Sequence, residues 1–254
     1  MLSQTPPTAT ILSVKIHALT NAQTLALIEQ FVASGRPHQL TTTNPEFVIE
    51  AQHDEEFRRI INNAALSLPD GIGLLKAARF LGATPLPERV AGSDLVSRLA
   101  EVSHRQGYRI FFLGAQPGVA EQAIANLKHR YPQLQVAGCY AGSPDPEENE
   151  ALLQRILPTK PDILLVAYGH PNQDKWIDRN LERLQIPVCI GVGGSFDFLA
   201  GTSKRAPRWL QQLHLEWLHR LITQPWRWRR VWNAVVYFSW LVLASKLRGV
   251  TGRY

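Results

Sequence analysis

Cysteine is scarce in this chain: its 254 residues hold two, Cys139 and Cys189. Two thiols cannot build a disulfide scaffold or a cysteine zinc cluster. Both are expected to be structural and reduced. The opening MLSQTPPTAT has no basic stretch followed by an apolar one, so no secretory signal is expected and the cytosol is the expected compartment. The eight histidines form no H-x-x-x-H or H-E-x-x-H pattern, and neither D-x-D nor clustered carboxylates offer a magnesium site. No metal and no cofactor are therefore expected. The P-loop pattern is missing too, and Gly191-x-Gly-Gly194 lacks the spacing of a dinucleotide fingerprint. Long apolar runs are also missing. The longest, Val231–Ala244, is interrupted only by Asn233 and Ser239 and spans fourteen residues. A membrane-crossing helix needs roughly 20.

Acids are nearly absent from one end. Residues 201–254 carry ten Lys/Arg against the single acid Glu216, while residues 1–200 carry 17 Lys/Arg against 20 Asp/Glu. Six of the seven tryptophans also follow residue 200. The expected organisation is a body over 1–200 and a basic, Trp-rich helical appendage over 201–254. Such an appendage suits an anionic membrane surface or a polyanion. Trp226-Arg227-Trp228-Arg229-Arg230 could stack on single-stranded nucleic acid. The apolar run that follows argues instead for a helix lying in the membrane interface, with no nucleic-acid partner. Off the membrane, such a face could be covered by self-association, so a homo-oligomer is possible.

At 45% apolar and 19% charged residues, the chain can bury a core. Short apolar runs at Leu40–Thr43, Ala65–Leu68, Ile110–Leu113, Gln135–Ala137, Ile163–Ala167 and Val188–Val192 read as strands. Helical patterns lie between them at Thr20–Ala33, Pro45–Asn63, Ser93–Arg105, Pro117–Tyr131, Pro146–Leu157 and Pro171–Leu184. The alternation predicts an α/β fold: a mostly parallel, Rossmann-like sheet with helices on both faces.

Sites in such sheets form outside the carboxyl ends of the strands. The residues following each strand are therefore the candidates. Asp70, between Pro69 and Gly71, is either a turn or helix-cap residue or a general base. Thr42 and Asn44 either cap the helix opening at Pro45 or bind sugar hydroxyls. Arg89 either makes an ion pair with a neighbouring acid or contacts phosphate. His170, a single loop histidine, reads more simply as structural than as catalytic. Glycine turns such as Gly191–Gly194 can aim backbone N–H groups at a phosphate.

Taken together, these turns resemble the WecG/TagA/CpsF glycosyltransferase family. The matching stretches are TTTNPEFVIEAQHDEEF, LSLPDGIGLLKAARFLG, ERVAGSDLV, FFLGAQPGVAEQA, YGHPNQDKWI, GVGGSFDFLAGTSKRAPRWLQQLHLEWLHRL and QPWRWRR. The resemblance implies metal-independent, inverting transfer of N-acetylmannosamine, or a related sugar, from UDP to undecaprenyl-diphosphate-linked N-acetylglucosamine. It implies work at the inner face of the cell membrane, in teichoic acid or other cell-surface polysaccharide synthesis. It implies Asp70 as base beside Gly71, with Thr42, Asn44 and Arg89 in the same pocket. Gln173, Tyr140 and Asp197 become substrate contacts. Arg220, Arg227 and Arg230 become appendage arginines that complete the site. One departure is Asn172-Gln173-Asp174, where the family often has Lys-Gln-Glu. The acid is kept and the lysine is lost. A non-catalytic protein that docks assembly enzymes at the membrane is the competing function.

Overall fold

The computed structural model describes residues 6–203, 206–207, 210, 216–223 and 225–249, without the side chains at 216, 219, 220 and 227. Its centre is a sheet of six strands, all parallel. They are β3 (His38–Thr43), β4 (Leu66–Pro69), β5 (Arg109–Gly114), β6 (Gln135–Tyr140), β7 (Ile163–Ala167) and β8 (Val188–Gly191). Their order across the sheet is β4-β3-β8-β7-β5-β6. All six expected strands are present, and the α/β class is as expected.

Side chains alternate between the two faces, as the two-residue strand period requires. Ile110, Phe112, Ile163, Leu165, Val188 and Ile190 face one way, onto helices α1 (Asn21–Ser34), α5 (Gly92–Gln106) and α6 (Val119–Arg130). Phe111, Leu113, Leu164, Val166 and Cys189 face the other, onto α7 (Asn149–Ile156) and α8 (Asn172–Leu184). Every one of these strand residues is at most 1% exposed. Burial on both faces explains why these strands read as continuous apolar runs.

The expected helix Pro45–Asn63 is two helices, α2 (Pro45–Glu50) and α3 (Glu55–Asn63). Asp54 restarts the chain as an N-cap, accepting from the Phe57 N–H at 2.9 Å. Helix α4 (Ile72–Leu81) was not expected. It starts inside the Pro69–Gly73 stretch that reads as a turn, and no side chain caps it. An antiparallel hairpin, β1 (Thr8–Ile11) and β2 (Val14–His17), was also not expected. Its inward residues Ala9, Ile11, Val14 and Ile16 are buried against α2, α3 and α4. His17 Nδ1 accepts the N–H of Ser67 at 2.9 Å, covering a donor of the edge strand β4.

After β8 come α9 (Ser195–Ala200), α10 (Glu216–Thr223) and α11 (Trp228–Trp232), then a π-helical turn (Asn233–Tyr237) and α12 (Phe238–Leu247). Residues 204–205, 208–209, 211–215, 224 and 250–254 of the expected appendage lie outside the described residues. No described helix is long and apolar enough to cross a membrane. Phe238 and Val242 are buried in the cluster that also holds Phe47, Leu74 and Ala77, so this C-terminal segment packs directly on α2 and α4.

Candidate active site

The carboxyl ends of β3, β4, β7 and β8 open into one polar cleft of about 530 Å³. Seven of the expected residues line it: Thr42, Asn44, Asp70, Arg89, Gln173, Asp197 and Arg230. Residues so far apart in sequence meet because each follows a strand, lies on a helix folded over those strand ends or, for Arg89, sits in the loop whose Val90 N–H bonds the Pro69 carbonyl at the end of β4.

Several of these side chains have structural work, and the geometry says which. Asn44 is the N-cap of α2; its Oδ1 accepts from the N–H groups of Glu46 at 2.8 Å and Phe47 at 3.2 Å. The capping alternative therefore holds for its oxygen, while its amide nitrogen is not used by the cap. Thr42 Oγ1 donates to the Gly191 carbonyl at 2.8 Å and is nearly buried, so it ties β3 to the glycine turn after β8. Gln173, also buried, accepts the Gly193 N–H on Oε1 at 2.9 Å. The Ser195 N–H goes to the Val192 carbonyl. Of that turn's amides, Gly194's is the one without a bond among the described residues.

Asp70 does not cap α4, whose N-cap is Gly71 at φ 144°, a conformation open to glycine. Its Oδ2 accepts from the Gly92 N–H at the start of α5 at 3.1 Å. That contact fixes the carboxylate at the lip of the cleft. Arg89 Nη2 lies 3.9 Å from the Asp94 carboxylate. Glu88, the acid beside it in sequence, instead accepts the N–H of Asn21.

Arg230 reaches this cleft from the C-terminal segment and forks onto Glu46, with Nε and Nη2 at 2.9 and 2.8 Å from its two carboxylate oxygens. Glu46 raises the basicity of the guanidinium, which stays charged. His170 also lines the cleft, its ring centroid 4.6 Å from that of Phe47. Burial holds its imidazole below the ordinary value, against the opposing pull of Glu46.

Tyr140 is not brought into this cleft. It ends β6 with the Arg155 guanidinium 4.1 Å above its ring. Gly71 lines a second, neighbouring groove. The side chains of Arg220 and Arg227 lie outside the described residues. Among the described residues no group of three His, Cys, Asp or Glu side chains is placed to share a metal ion.

Behind the cleft sits a wedge that sequence reasoning passed over. Asp174 is fully buried, and neither carboxylate oxygen meets a hydrogen-bond donor among the described residues. Burial pushes its carboxyl up to about 8. A Cβ on Gly191 would fall 2.6 Å from Gln173 Nε2 and 2.7 Å from Asp174 Oδ1. The glycine is therefore required by close approach of these two side chains. Glu46 and Ser195 also line the cleft unforeseen. Glu46 had a signal, since it follows the capping Asn44 in the turn after β3.

Comparison with known proteins agrees with this geometry. The sequence model described as "Glycosyl transferase WecG/TagA/CpsF family" matches residues 9–251. A relative from Bacillus subtilis (strain 168) is 35% identical over 198 residues, 78% of this chain and 76% of its own length. One from Bacillus spizizenii W23 is 35% identical over 200 residues, 79% of this chain and 77% of the relative. One from Staphylococcus aureus NCTC 8325 is 34% identical over 223 residues, 87% and 85% of the two chains. All three are named N-acetylglucosaminyldiphosphoundecaprenol N-acetyl-beta-D-mannosaminyltransferase.

Proposed function

The chain belongs to the WecG/TagA/CpsF glycosyltransferase family, and from that premise we propose that it transfers N-acetylmannosamine, or a closely related sugar, from UDP to N-acetylglucosaminyl-diphosphoundecaprenol. The observation that carries this reading is the wall shared by two cavities. Asn44, Glu46, Asp70, Arg89 and Arg230 line both the polar cleft and a neighbouring apolar groove. Two carboxylates and two guanidiniums between a polar and an apolar site suit a reaction joining a nucleotide sugar to a lipid-linked one.

In the proposed step Asp70 takes the proton of the acceptor 4-hydroxyl. The oxygen attacks the anomeric carbon on the face opposite UDP, and the carbon–oxygen bond to the diphosphate breaks with its electron pair leaving on UDP. Inversion turns an α-linked donor into a β-linked product. In this reading Arg89 and Arg230 neutralise diphosphate charge, Arg230 with its Nε and Nη2 kept on Glu46. Turnover without a divalent metal is part of the proposal.

The reading extends to the membrane. Trp228, Trp232, Trp240 and Leu247 are more than half exposed on the C-terminal helices. An exposed aromatic face among arginines suits peripheral docking on an anionic leaflet, here the inner face of the cell membrane. Off the membrane, a second copy would cover the same face.

The test is UDP release from a panel of UDP-sugars, with and without lipid-diphosphate N-acetylglucosamine, in EDTA. Acceptor-dependent release from UDP-N-acetylmannosamine is expected. Acceptor-dependent release from another sugar would change the donor and leave the reaction class standing. No release by folded protein supplied with membranes would overturn the reading.

A further inference from the structure

The apolar groove beside the catalytic wall has about 640 Å³ of space. One side is α4, contributing Ile72, Ala77 and Phe80, and the other is the C-terminal segment, contributing Val231, Val235 and Phe238. Small residues and one helical irregularity line it. Gly73 on α4 leaves room for Pro45; a Cβ there would fall 3.1 Å from Pro45 Cγ. The opposite side carries the π-helical turn Asn233–Tyr237, whose Ala234 and Val235 line the groove.

The groove is graded along its length. At the inner end stand Asp70, Arg89 and Arg230, with Lys76 one turn along α4 from Ile72. At the outer end Phe80 and Leu243 are about half exposed, 44% and 47%. Beyond them the exposed Trp240 and Leu247 continue the apolar surface along α12. Carboxylate and cations within, alkyl and aromatic surface outward, is the polarity order of a sugar, a diphosphate and a hydrocarbon chain.

We propose that this groove holds the diphosphate-proximal isoprene units of the lipid acceptor, so that the enzyme reads the chain of its acceptor as well as the sugar. The inference rests on the acceptor reading above. The chain leaves the groove past Phe80 and Leu243, and its remainder stays in the bilayer. Lys76 serves the acceptor's diphosphate, a role separate from that of the arginines toward the departing UDP.

Two measurements on the full-length protein test this, and they fail separately from the assigned reaction. The first compares acceptors carrying the same sugar diphosphate on a long polyprenyl chain and on a short ethyl chain that holds no isoprene unit. Ala234→Trp fills the groove with apolar bulk and Val235→Glu places a charge in it; neither residue touches the reacting atoms. Each is expected to raise KM for the long-chain acceptor at least tenfold, with donor KM, vesicle binding and short-chain KM within twofold of wild type. Equal KM changes for both acceptors, or none, would overturn the groove assignment while leaving the reaction intact. The second measurement crosslinks a benzophenone-tagged polyprenyl diphosphate lacking sugar to the protein in detergent, and it does not depend on turnover. Labels on 72–80 and 231–243, competed by untagged polyprenyl diphosphate and absent in Ala234→Trp, are expected. Labels confined to the outer tryptophans would overturn the proposal whatever the enzyme's activity. Groove labelling without transfer to any acceptor would sustain the binding site and overturn the reaction.

Discussion

Arg230 holds both oxygens of Glu46 across 184 positions of sequence, at 2.9 and 2.8 Å. Glu46 is itself held, because it sits in the first turn of α2 under the Asn44 cap. The pair is half exposed on the arginine side, so its stabilising value is at most about 1 kcal/mol. Its consequence is positional: it pins the C-terminal segment beside Asp70. Arg230→Ala is expected to cut turnover at least tenfold and shift Tm little. Arg230→Lys should not restore turnover, because a point charge cannot fork onto two oxygens. Initial rates and thermal melts on the three proteins check this. Full activity in Arg230→Lys would mean that charge alone is needed there.

Asp70 combines a structural bond with a place in both cavities. Asp70→Asn keeps an oxygen to accept from the Gly92 N–H and removes the basic carboxylate. Turnover should fall by roughly 10²–10⁴-fold, the usual worth of a general base. UDP-sugar affinity and Tm should stay near wild type. Titration calorimetry beside the rate assay separates the two. A folded Asp70→Asn protein with near-normal turnover would remove Asp70 from the chemistry.

His17 makes stability depend on acid. Burial is the main cause that lowers its pKa to about 4, with Lys15 adding to it, while its ordinary value is 6.5. Between those values the unfolded chain binds a proton that the folded one refuses. The stabilisation is complete above pH 6.5 and is lost as pH falls toward 4. The loss amounts to about 3 kcal/mol. His17→Asn keeps an acceptor for the Ser67 N–H and cannot titrate. Its denaturation midpoint should fall less steeply than wild type's between pH 6.5 and 4. Parallel curves would mean that another group governs acid loss.

The middle of the sheet was legible because β5, β7 and β8 are buried on both faces. Runs such as Ile163–Ala167 carry no polar residue to blur them. The candidate site was legible because loops after parallel strands must converge. The α2–α3 break was not legible, since Gln52 and His53 suit a helix and only the Asp54 cap restarts it. Helix α4 hid because Gly71 and Gly73 look like turn residues, whereas one caps the helix and the other makes room for Pro45. The hairpin hid because four-residue strands give too short a period to count. The placement of Phe238 and Val242 on α2 and α4 could not be read, because an apolar run states that it is buried and not against what.

Asp174 is buried beside Gln173 and Gly191, and its surroundings give it a pH signature. Folded, its carboxyl is pushed up to about 8 by burial; unfolded, it returns toward 3.8. Between these values unfolding releases a proton, so stability falls as pH rises from about 4 to about 8 and levels beyond. The sign is opposite to that of His17. Asp174→Asn has nearly the same shape and no proton to lose. Its Tm relative to wild type should therefore climb steadily from pH 5 to pH 8. If Asp174 serves only to fill space behind Gly191, donor KM should be unchanged in the variant. If the protonated carboxyl sets the position of Gln173, and through it the Gly193 amide, donor KM should rise while the fold is stabilised. A Tm difference that stays flat across that range would mean that Asp174 is ionised in the folded protein, and a partner for its charge would then have to be found.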